Sequence, residues 1–256
     1  MKALVIAPQP FFSPRGTPFS VYYRTLVTAQ LGVEVDLLTY GEGQDVDIPG
    51  VRIIRIPRLP LGPVKVGPSG AKLVLDAFVL AWTVALLARN KYDFVHAHEE
   101  SVFFGRWLKS VFGYKLVYDM HSSLPQQLTN FKFTTSKVLI RSFEKLENAA
   151  LANADAVITI CPALAEYAVP RMPDGRRHLL IENSIFDDVR VSRGAAGSGN
   201  GQMIPLPDDR PLVVYAGTFE SYQGLDVLIA AMAKVRERRP DALLLMVGGA
   251  SRQVEQ

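Results

Sequence analysis

The sequence has little cysteine, little net charge and no N-terminal segment that resembles a signal peptide. Cys161 is its single cysteine, so no intramolecular disulfide can form, which fits a reducing compartment. Its 28 basic and 25 acidic residues leave a net charge of +3, which is too small to indicate nucleic-acid binding. The apolar run that ends at Pro8 is too short for a signal peptide. We therefore expect a cytoplasmic protein with no nucleic-acid partner.

Only one long apolar segment occurs, at residues 73–88, and it predicts a buried helix. Its uncharged part, residues 77–88, reaches only about 18 Å as a helix, against roughly 30 Å for a bilayer core. Peripheral contact with the inner face of a membrane is the alternative. That alternative depends on the basic residues just upstream, which are Arg55, Arg58, Lys65 and Lys72.

Short apolar runs that alternate with helical patterns predict an α/β fold. Hydrophobic residues make up 48% of the chain, enough for a packed core and too many for a disordered protein. Strands separated by helices form βαβ units, so we expect a parallel sheet with helices on both faces. The predicted strands are 2–7, 33–38, 51–56, 94–97, 115–118, 156–160 and 178–182, and the predicted helices are 17–31, 70–90, 99–112 and 135–152.

The composition changes after residue 188. Residues 193–201 are rich in glycine and serine, which is typical of a flexible linker. A new βαβ pattern follows, with strands at 212–216 and 242–247 and a helix between them. The sequence therefore predicts a first domain at 1–188, a linker at 189–210 and the start of a second domain at 211–256.

The loop after the first strand predicts an anion site. Ligands of open parallel sheets bind beyond the carboxyl ends of the strands. Gly16 and Thr17 begin the next helix, with Thr17 as its N-cap, where free N–H groups and the helix dipole favour a phosphate. No G-x-G-x-x-G pattern occurs there, so the dinucleotide fingerprint of oxidoreductases is missing. An ordinary helix cap is the alternative.

Polar side chains also follow the fourth predicted strand. His96 and His98 alternate onto one side of that strand, and Glu99 is predicted to open the next helix. A role in a substrate cleft is one interpretation, and ordinary hydrogen bonding is the other. Two histidines without a third spaced ligand are a weak metal signature, so we predict no metal.

The fifth strand and the second domain supply the remaining candidates. Asp119 ends the fifth strand, and the following His121 and Ser122 suit sugar hydroxyls or phosphates. Ser122 lacks the G-x-S-x-G context of a hydrolase nucleophile. In the second domain, the turn from Gly217 to Gly224 leads into a helix N-terminus and is either a phosphate site or a simple connection.

Taken together, these features resemble the retaining GT-B glycosyltransferases of family 4. The resemblance covers nearly the whole chain and depends on the order and spacing of several segments. These are Gly16-Thr17, YDFVHAH at 92–98, VYDMH at 117–121, ADAVIT at 154–159, VYAGT at 214–218 and QGLDVLI at 223–229. The resemblance implies a GT-B-type fold in which a Rossmann-like parallel sheet with helices on both faces precedes an incomplete second Rossmann-like domain.

The resemblance also implies an activity, which is retaining transfer of a sugar from a nucleotide sugar to a polysaccharide or glycolipid acceptor, without cofactor or metal. It implies that the first domain mainly holds the acceptor and the second mainly holds the donor. His121, as the catalytic residue, would lie near the transferred sugar. The implied donor- or acceptor-binding residues are Gly16, Thr17, His96, His98, Glu99, Asp119, Ser122, Gly217, Thr218, Gln223 and Gly224.

Two departures from the family pattern leave alternatives open. Thr218 and Gln223 stand where the family usually has Arg and Lys, cations that neutralise a departing diphosphate. The family's later Glu-x7-Glu segment has no counterpart before Gln256, so we expect a truncated chain. One alternative is a non-catalytic fragment that binds acceptor or pairs with a separate C-terminal polypeptide. A weaker one is a GT-B-like sugar-nucleotide epimerase.

Overall fold

The computed structural model describes residues 1–13, 16–62, 64, 69–130, 136–183, 210–219 and 223–249. The chain divides into two compact units, Met1–Ile185 and Phe186–Gln256. The predicted linker lies outside the described residues except for Arg210. The predicted domain bounds, 1–188 and 211–256, stay predictions.

The first unit is built on a seven-stranded sheet in the order β3-β2-β1-β4-β5-β6-β7, and all neighbouring strands are parallel. The strands are β1 (Lys2–Ala7), β2 (Glu34–Thr39), β3 (Val51–Arg55), β4 (Phe94–His98), β5 (Lys115–Met120), β6 (Ala156–Thr159) and β7 (His178–Leu180). The helices are α1 (Gly16–Gln30), α2 (Gly70–Arg89), α3 (Ser101–Phe112), α4 (Leu124–Asn130), α5 (Lys137–Asn153) and α6 (Pro162–Ala168).

Helices cover both faces of this sheet. In β1, Leu4 and Ile6 pack into one core cluster with residues of α2, α3, α5 and α6. Val5 and Ala7 point to the opposite face and pack into a second cluster with Val21 of α1. The prediction of a parallel α/β sheet with helices on both faces is therefore confirmed.

Two predicted helix starts are wrong. Helix α1 begins at Gly16, so Thr17 lies in its first turn and is not its N-cap. Pro18 is tolerated there because the first N–H groups of a helix have no intrahelical partner. Glu99 does not open α3, since it has a left-handed backbone with φ of 52° and the helix begins at Ser101. The short helices α4 and α6 were not predicted, because seven residues are too few for a helical period.

The prediction of a buried helix at residues 70–90 holds for one face only. Leu75, Val79, Thr83 and Leu87 are buried against the sheet, whereas most other residues of α2 are partly or fully exposed. The helix has 20 residues and is long and apolar enough to cross a membrane by length and composition. The sequence-based length estimate counted only the uncharged residues 77–88 and therefore underestimated the length of the apolar helix.

The second unit contains one βαβ element, with β8 (Leu212–Gly217) and β9 (Leu243–Gly248) parallel and α7 (Leu225–Arg238) between them in sequence. We expected the apolar residues of β9 to be partly exposed, because two strands and one helix cannot cover both faces of a sheet. This is confirmed, since Leu243, Leu244 and Leu245 are half-buried and Val247 is 51% exposed.

We predict that deleting every residue after Asp188 leaves a cooperatively folded protein. Both core clusters of the first unit draw only on residues before 173, so the deletion removes nothing from them. Tryptophan fluorescence during thermal unfolding reports this unit alone, because the two tryptophans of the chain are Trp82 and Trp107. A broad, non-cooperative transition would show that the unit needs the later residues.

Candidate active site

The carboxyl ends of β4 and β5 bring polar side chains together on the α1 face of the sheet. His96 is the register partner of Val5, which faces α1, and His98 lies two residues further along the same strand. Asp119 is the register partner of His98 in β5, so its side chain points to the same face. All three polar side chains are buried.

Asp119 is the centre of this cluster. Its Oδ2 lies 2.5 Å from Nη1 of Arg24, 2.9 Å from Nε2 of His96 and 3.5 Å from Nδ1 of His98. Its other oxygen, Oδ1, lies 3.3 Å from Nε2 of His121. Burial alone raises the pKa of this carboxyl, but the charges and hydrogen bonds of the surrounding side chains outweigh it. The pKa of Asp119 is held well below its usual range, so it is a buried carboxylate.

Arg24 is a member of the cluster that the sequence did not reveal. Its guanidinium reaches Asp119 from α1 and also donates to the carbonyl of Ile181 at 2.8 Å. A signal was present, because Ser20, Arg24 and Thr28 recur every four residues in α1 and form a polar stripe along one side of the helix.

The pKa values of His121 and His98 are shifted in opposite directions. Burial lowers the pKa of His121, but the nearby Asp119 carboxylate outweighs burial and leaves this pKa above the ordinary value of 6.5. For His98, burial dominates and the pKa falls well below 6.5. Nε2 of His121 lies 3.1 Å from Nδ1 of His98, so a protonated His121 can donate to a neutral His98 there.

This arrangement leaves two buried ring nitrogens without a partner among the described residues, Nδ1 of His121 and Nε2 of His98. Within the part of the chain that the structure describes, Nδ1 of His121 has no hydrogen-bond acceptor, although its residue is only 8% exposed. A buried N–H of a cation is costly to leave unpaired. An oxygen of a bound ligand could supply the missing acceptor.

Glu99 and Ser122 extend the cluster from the ends of the same two strands. The hydroxyl of Ser122 donates to Oε2 of Glu99 at 3.0 Å and accepts from the amide of Gln127. Burial raises the pKa of Glu99 to about 7, although the charge of His121 acts against this rise. A left-handed backbone is uncommon for glutamate and clusters at functional sites.

A second charged cluster lies at the start of α2. Lys72 pairs with Glu100, and Asp76 accepts a hydrogen bond from the hydroxyl of Tyr40 at 2.5 Å. Burial, and the nearby charge of Glu100, raise the pKa of Asp76 to about 7. These pairs were not predictable from the sequence, because their members are far apart in the chain. Since Glu100 follows Glu99, the two clusters are directly connected.

The first cluster contains three potential metal ligands, from His96, His98 and Asp119, whose ligand atoms lie within 4.8 Å of one another. Arg24, however, lies 2.5 Å from the same Oδ2 of Asp119. A guanidinium that close repels a divalent cation. This supports the expectation of no metal, which stays a prediction.

Gly16 lies at the exposed start of α1, and Thr17 follows it half-buried. A Cβ added to Gly16 would meet no heavy atom within 4 Å among the described residues. The fold itself therefore does not require glycine at this position. The open space leaves room for a ligand to approach the backbone N–H groups of the helix start.

The remaining predicted site residues belong to the second unit. Gly217 ends β8, and the carbonyl of Thr218 accepts a hydrogen bond from Tyr215 at 2.7 Å. Gly224 caps α7 with a left-handed backbone of φ 71°, next to the exposed Gln223. Residues 217–225 contain no lysine or arginine, so this turn offers a phosphate only N–H and hydroxyl donors.

Two glycosyltransferase families match the chain. Residues 24–184 match the family described as glycosyl transferase 4-like domain, and residues 202–256 match the one described as glycosyl transferases group 1. Among curated protein sequences, none matches this chain significantly.

Solved structures share the fold. Sucrose-phosphate synthase from Thermosynechococcus elongatus is 24% identical, with a TM-score of 0.69 over 98% of this chain and 63% of that one. Anabaena HepE, solved with UDP and glucose, is 16% identical, with a TM-score of 0.60 over 100% of this chain and 64% of that one. WaaG, a glycosyltransferase of lipopolysaccharide biosynthesis, is 16% identical, with a TM-score of 0.63 over 99% of this chain and 65% of that one.

These likenesses confirm the predicted GT-B-type, Rossmann-like fold. The chain spans just under two thirds of the length of these three solved chains, between 63% and 65%.

We predict that Asp119→Asn lowers the free energy of unfolding at pH 7 by about 3–5 kcal/mol, because it leaves Arg24 and His121 without their buried carboxylate. Urea unfolding followed by tryptophan fluorescence measures this change. The matched control is Asp174→Asn, which removes a carboxylate from the exposed ion pair with Arg176 and should change the stability far less. Equal losses in the two variants would contradict a central role for Asp119.

We also predict that Glu99→Gln stabilises the protein at alkaline pH. The folded-state pKa of about 7 lies above the ordinary value of 4.5, so ionisation of Glu99 opposes folding as the pH rises from 4.5 to 7. Glutamine should therefore raise the free energy of unfolding by up to about 3 kcal/mol at pH 8, and by nothing below pH 4.5.

Urea unfolding between pH 4.5 and pH 8 measures the gain, with Glu144→Gln on the exposed face of α5 as the control. A Glu99→Gln effect that does not depend on pH would mean that the carboxyl is not held protonated.

Proposed function

Because this chain belongs to the glycosyl transferase 4-like family, which matches residues 24–184, we propose that it transfers a sugar from a nucleotide sugar to a polysaccharide or glycolipid acceptor. The observation that carries the proposal is the buried pair of Asp119 and His121, with its unpartnered N–H, at the carboxyl ends of the central strands. We place the reaction in the cytoplasm and assign it no cofactor and no metal.

His121 is assigned to the transferred sugar. As an imidazolium it offers a charge-assisted hydrogen bond from Nδ1, which suits a sugar hydroxyl or a phosphate oxygen. Such a donor, fixed in a buried site, stabilises negative charge that develops on a leaving diphosphate. Asp119 keeps the imidazole protonated and oriented, while His96 and Arg24 hold Asp119 in place.

Transfer with retention forms the new bond on the face of the anomeric carbon that the diphosphate leaves. The C–O bond to the diphosphate breaks, the acceptor oxygen bonds to the anomeric carbon, and the acceptor hydroxyl loses its proton. We assign that proton to the departing phosphate oxygen or to Glu99, whose pKa of about 7 suits proton exchange near neutral pH. The retaining assignment rests on the resemblance of the sequence segments to family 4.

The turn from Gly217 to Gly224 in the second unit is assigned to the donor phosphates. The helix N-terminus that it precedes favours an anion. Anabaena HepE was solved with UDP and glucose, which supports a nucleotide-sugar donor. Thr218 and Gln223 replace cations that the family usually has there, so the charge on the leaving group must be met mainly by N–H groups and by other parts of the protein.

A non-catalytic chain that pairs with a separate polypeptide is the second candidate. It is favoured by the exposed apolar strands of the second unit, where Val213, Val214 and Val247 are 41%, 55% and 51% exposed. Apolar strand residues of this kind are usually covered in a folded domain.

A transfer assay on the full chain tests the proposal. Labelled UDP-glucose, ADP-glucose and GDP-mannose are each offered with oligosaccharide and glycolipid acceptors. We expect turnover with one donor and a loss of about 100-fold or more in kcat/KM for His121→Ala. The control is His178→Ala, since His178 bonds to Thr159 at the far side of the sheet.

Three outcomes decide between the candidates. Turnover that His121→Ala leaves intact would remove this residue from the reaction. No turnover by the chain alone, with turnover restored by a separate C-terminal half, would support the second candidate. Conversion of a nucleotide sugar without any acceptor would indicate an epimerase instead.

We further predict that Gly16→Ala weakens donor binding about tenfold without loss of stability, because its Cβ would occupy the open space at the helix start. Calorimetric titration with the donor that the assay accepts measures the affinity. The matched control is Gly70→Ala, at the first position of α2, where an added Cβ likewise meets nothing within 4 Å. Equal effects of the two substitutions would remove the phosphate assignment of Gly16.

A further inference from the structure

Helix α2 presents an apolar face to the solvent. Its inner stripe is buried against the sheet, as described above. Between residues 73 and 88 six residues are exposed, and all of them are apolar: Leu73, Val74, Ala77, Ala81, Val84 and Ala88. We refer to these six residues as the outer face of α2.

This face is unusual for a helix on the surface of a protein. Such helices normally carry polar residues on the side away from the core. Here the mean hydropathy reaches 1.9 over an 18-residue window, of which only 22% is buried inside the protein. Contiguous apolar surface of this extent marks an interaction site.

The neighbouring helix also exposes large apolar residues. On α3, which packs beside α2, Trp107 is 58% exposed and Val111 is 75% exposed. Trp82 of α2 is half-buried. Tryptophan combines a large apolar ring with a polar N–H and is enriched where hydrocarbon meets water.

Most charged residues of the segment that carries this surface are basic, although the exposed Asp47 and Asp93 flank it. From Ile48 to Tyr92 the sequence has a single acidic residue, Asp76, which is turned inward to Tyr40. Helix α3 contains no acidic residue. The cations nearest in sequence are Arg89 and Lys91 at the end of α2, Arg58 after β3, and Arg106, whose guanidinium lies over the Trp107 ring.

We propose that the outer face of α2, together with Trp107, docks on a membrane surface that contains anionic phospholipid. The bordering cations complement the negative headgroups, and the apolar side chains enter the boundary between headgroups and hydrocarbon. A second copy of this chain is the alternative occupant, but its matching face would add the same excess of cations and not the opposite charge.

The helix lies in the plane of the membrane and does not cross it. Leu75, Val79 and Leu87 are 0%, 0% and 6% exposed because they pack on the sheet, and crossing a bilayer would pull them out of the core. A helix with one face held by the protein and the other apolar is the arrangement of an interfacial helix. This docking does not depend on the proposed transfer reaction.

Vesicle flotation with the full chain tests the proposal. We expect binding to vesicles of phosphatidylglycerol and phosphatidylcholine, weaker binding at high salt, and little binding to phosphatidylcholine alone. The double variant Leu73→Glu/Val84→Glu should reduce binding at least about tenfold. Each of the charge reversals Arg89→Glu and Arg106→Glu should reduce binding to anionic vesicles about fivefold or more.

The matched control is Leu31→Glu/Val227→Glu, which places the same charges on two other exposed apolar positions, 79% and 68% exposed. A second measurement needs no variant: brominated lipid should quench the fluorescence of Trp82 and Trp107, the only tryptophans of the chain. Thermal unfolding of each variant in the absence of vesicles checks that it folds.

Several results would overturn the proposal. One is that the wild-type chain does not bind anionic vesicles, or that brominated lipid does not quench its tryptophans. Another is an equal loss of binding in the control variant. A third is a wild-type dimer in solution that Leu73→Glu/Val84→Glu converts to monomer, which would make a second copy the occupant of this face.

Discussion

The buried carboxylate of Asp119 is the interaction on which the candidate site depends. A charge so far from solvent is stable only with compensating partners, and here Arg24 of α1 and the histidines of β4 and β5 supply them. The same contacts fasten α1 to the central strands. They also shift the two imidazole pKa values in opposite directions, since the pKa of His121 is raised and that of His98 is lowered.

A second buried carboxylate on the same sheet shows what a purely structural pairing looks like. Asp36 accepts two hydrogen bonds from Arg52, both at 2.7 Å, and a third from the hydroxyl of Tyr92 at 2.6 Å. Both of its oxygens are bonded. The Asp119 cluster instead leaves Nδ1 of His121 and Nε2 of His98 without acceptors among the described residues. Unfilled bonding capacity, rather than burial of charge, separates a candidate site from a structural ion pair.

Much of the fold followed from the sequence, because apolar runs of strand length alternated with helical patterns. His96, His98, Asp119 and His121 were each candidates from the sequence, and strand alternation and the shared carboxyl edge of a parallel sheet explain why the structure brings them together. Arg24 was missed because it lies 95 residues before Asp119. The only sequence signal for a buried role of Arg24 was its place in the polar stripe of α1. The backbone of Glu99 could not be predicted, since a left-handed glutamate contradicts local preference.

Composition also did not show that only one apolar face of α2 packs on the core, while the other apolar face is exposed to solvent. The structure makes that distinction, and it shows that this helix leads directly to the site. Lys72 and Asp76, in its first turns, meet Glu100 and Tyr40, and Glu100 adjoins Glu99. The helix proposed to dock on lipid and the candidate site are therefore neighbours, with half-buried charged residues between them.

The central claim is that Asp119 keeps His121 protonated within a buried cluster. Nuclear magnetic resonance titration of the four imidazoles, assigned by single histidine substitutions, measures this directly. The account predicts that His121 titrates above 6.5, that His98 stays neutral well below 6.5, and that Asp119→Asn lowers the pKa of His121. A His121 that titrates at or below 6.5, with no response to Asp119→Asn, would contradict it.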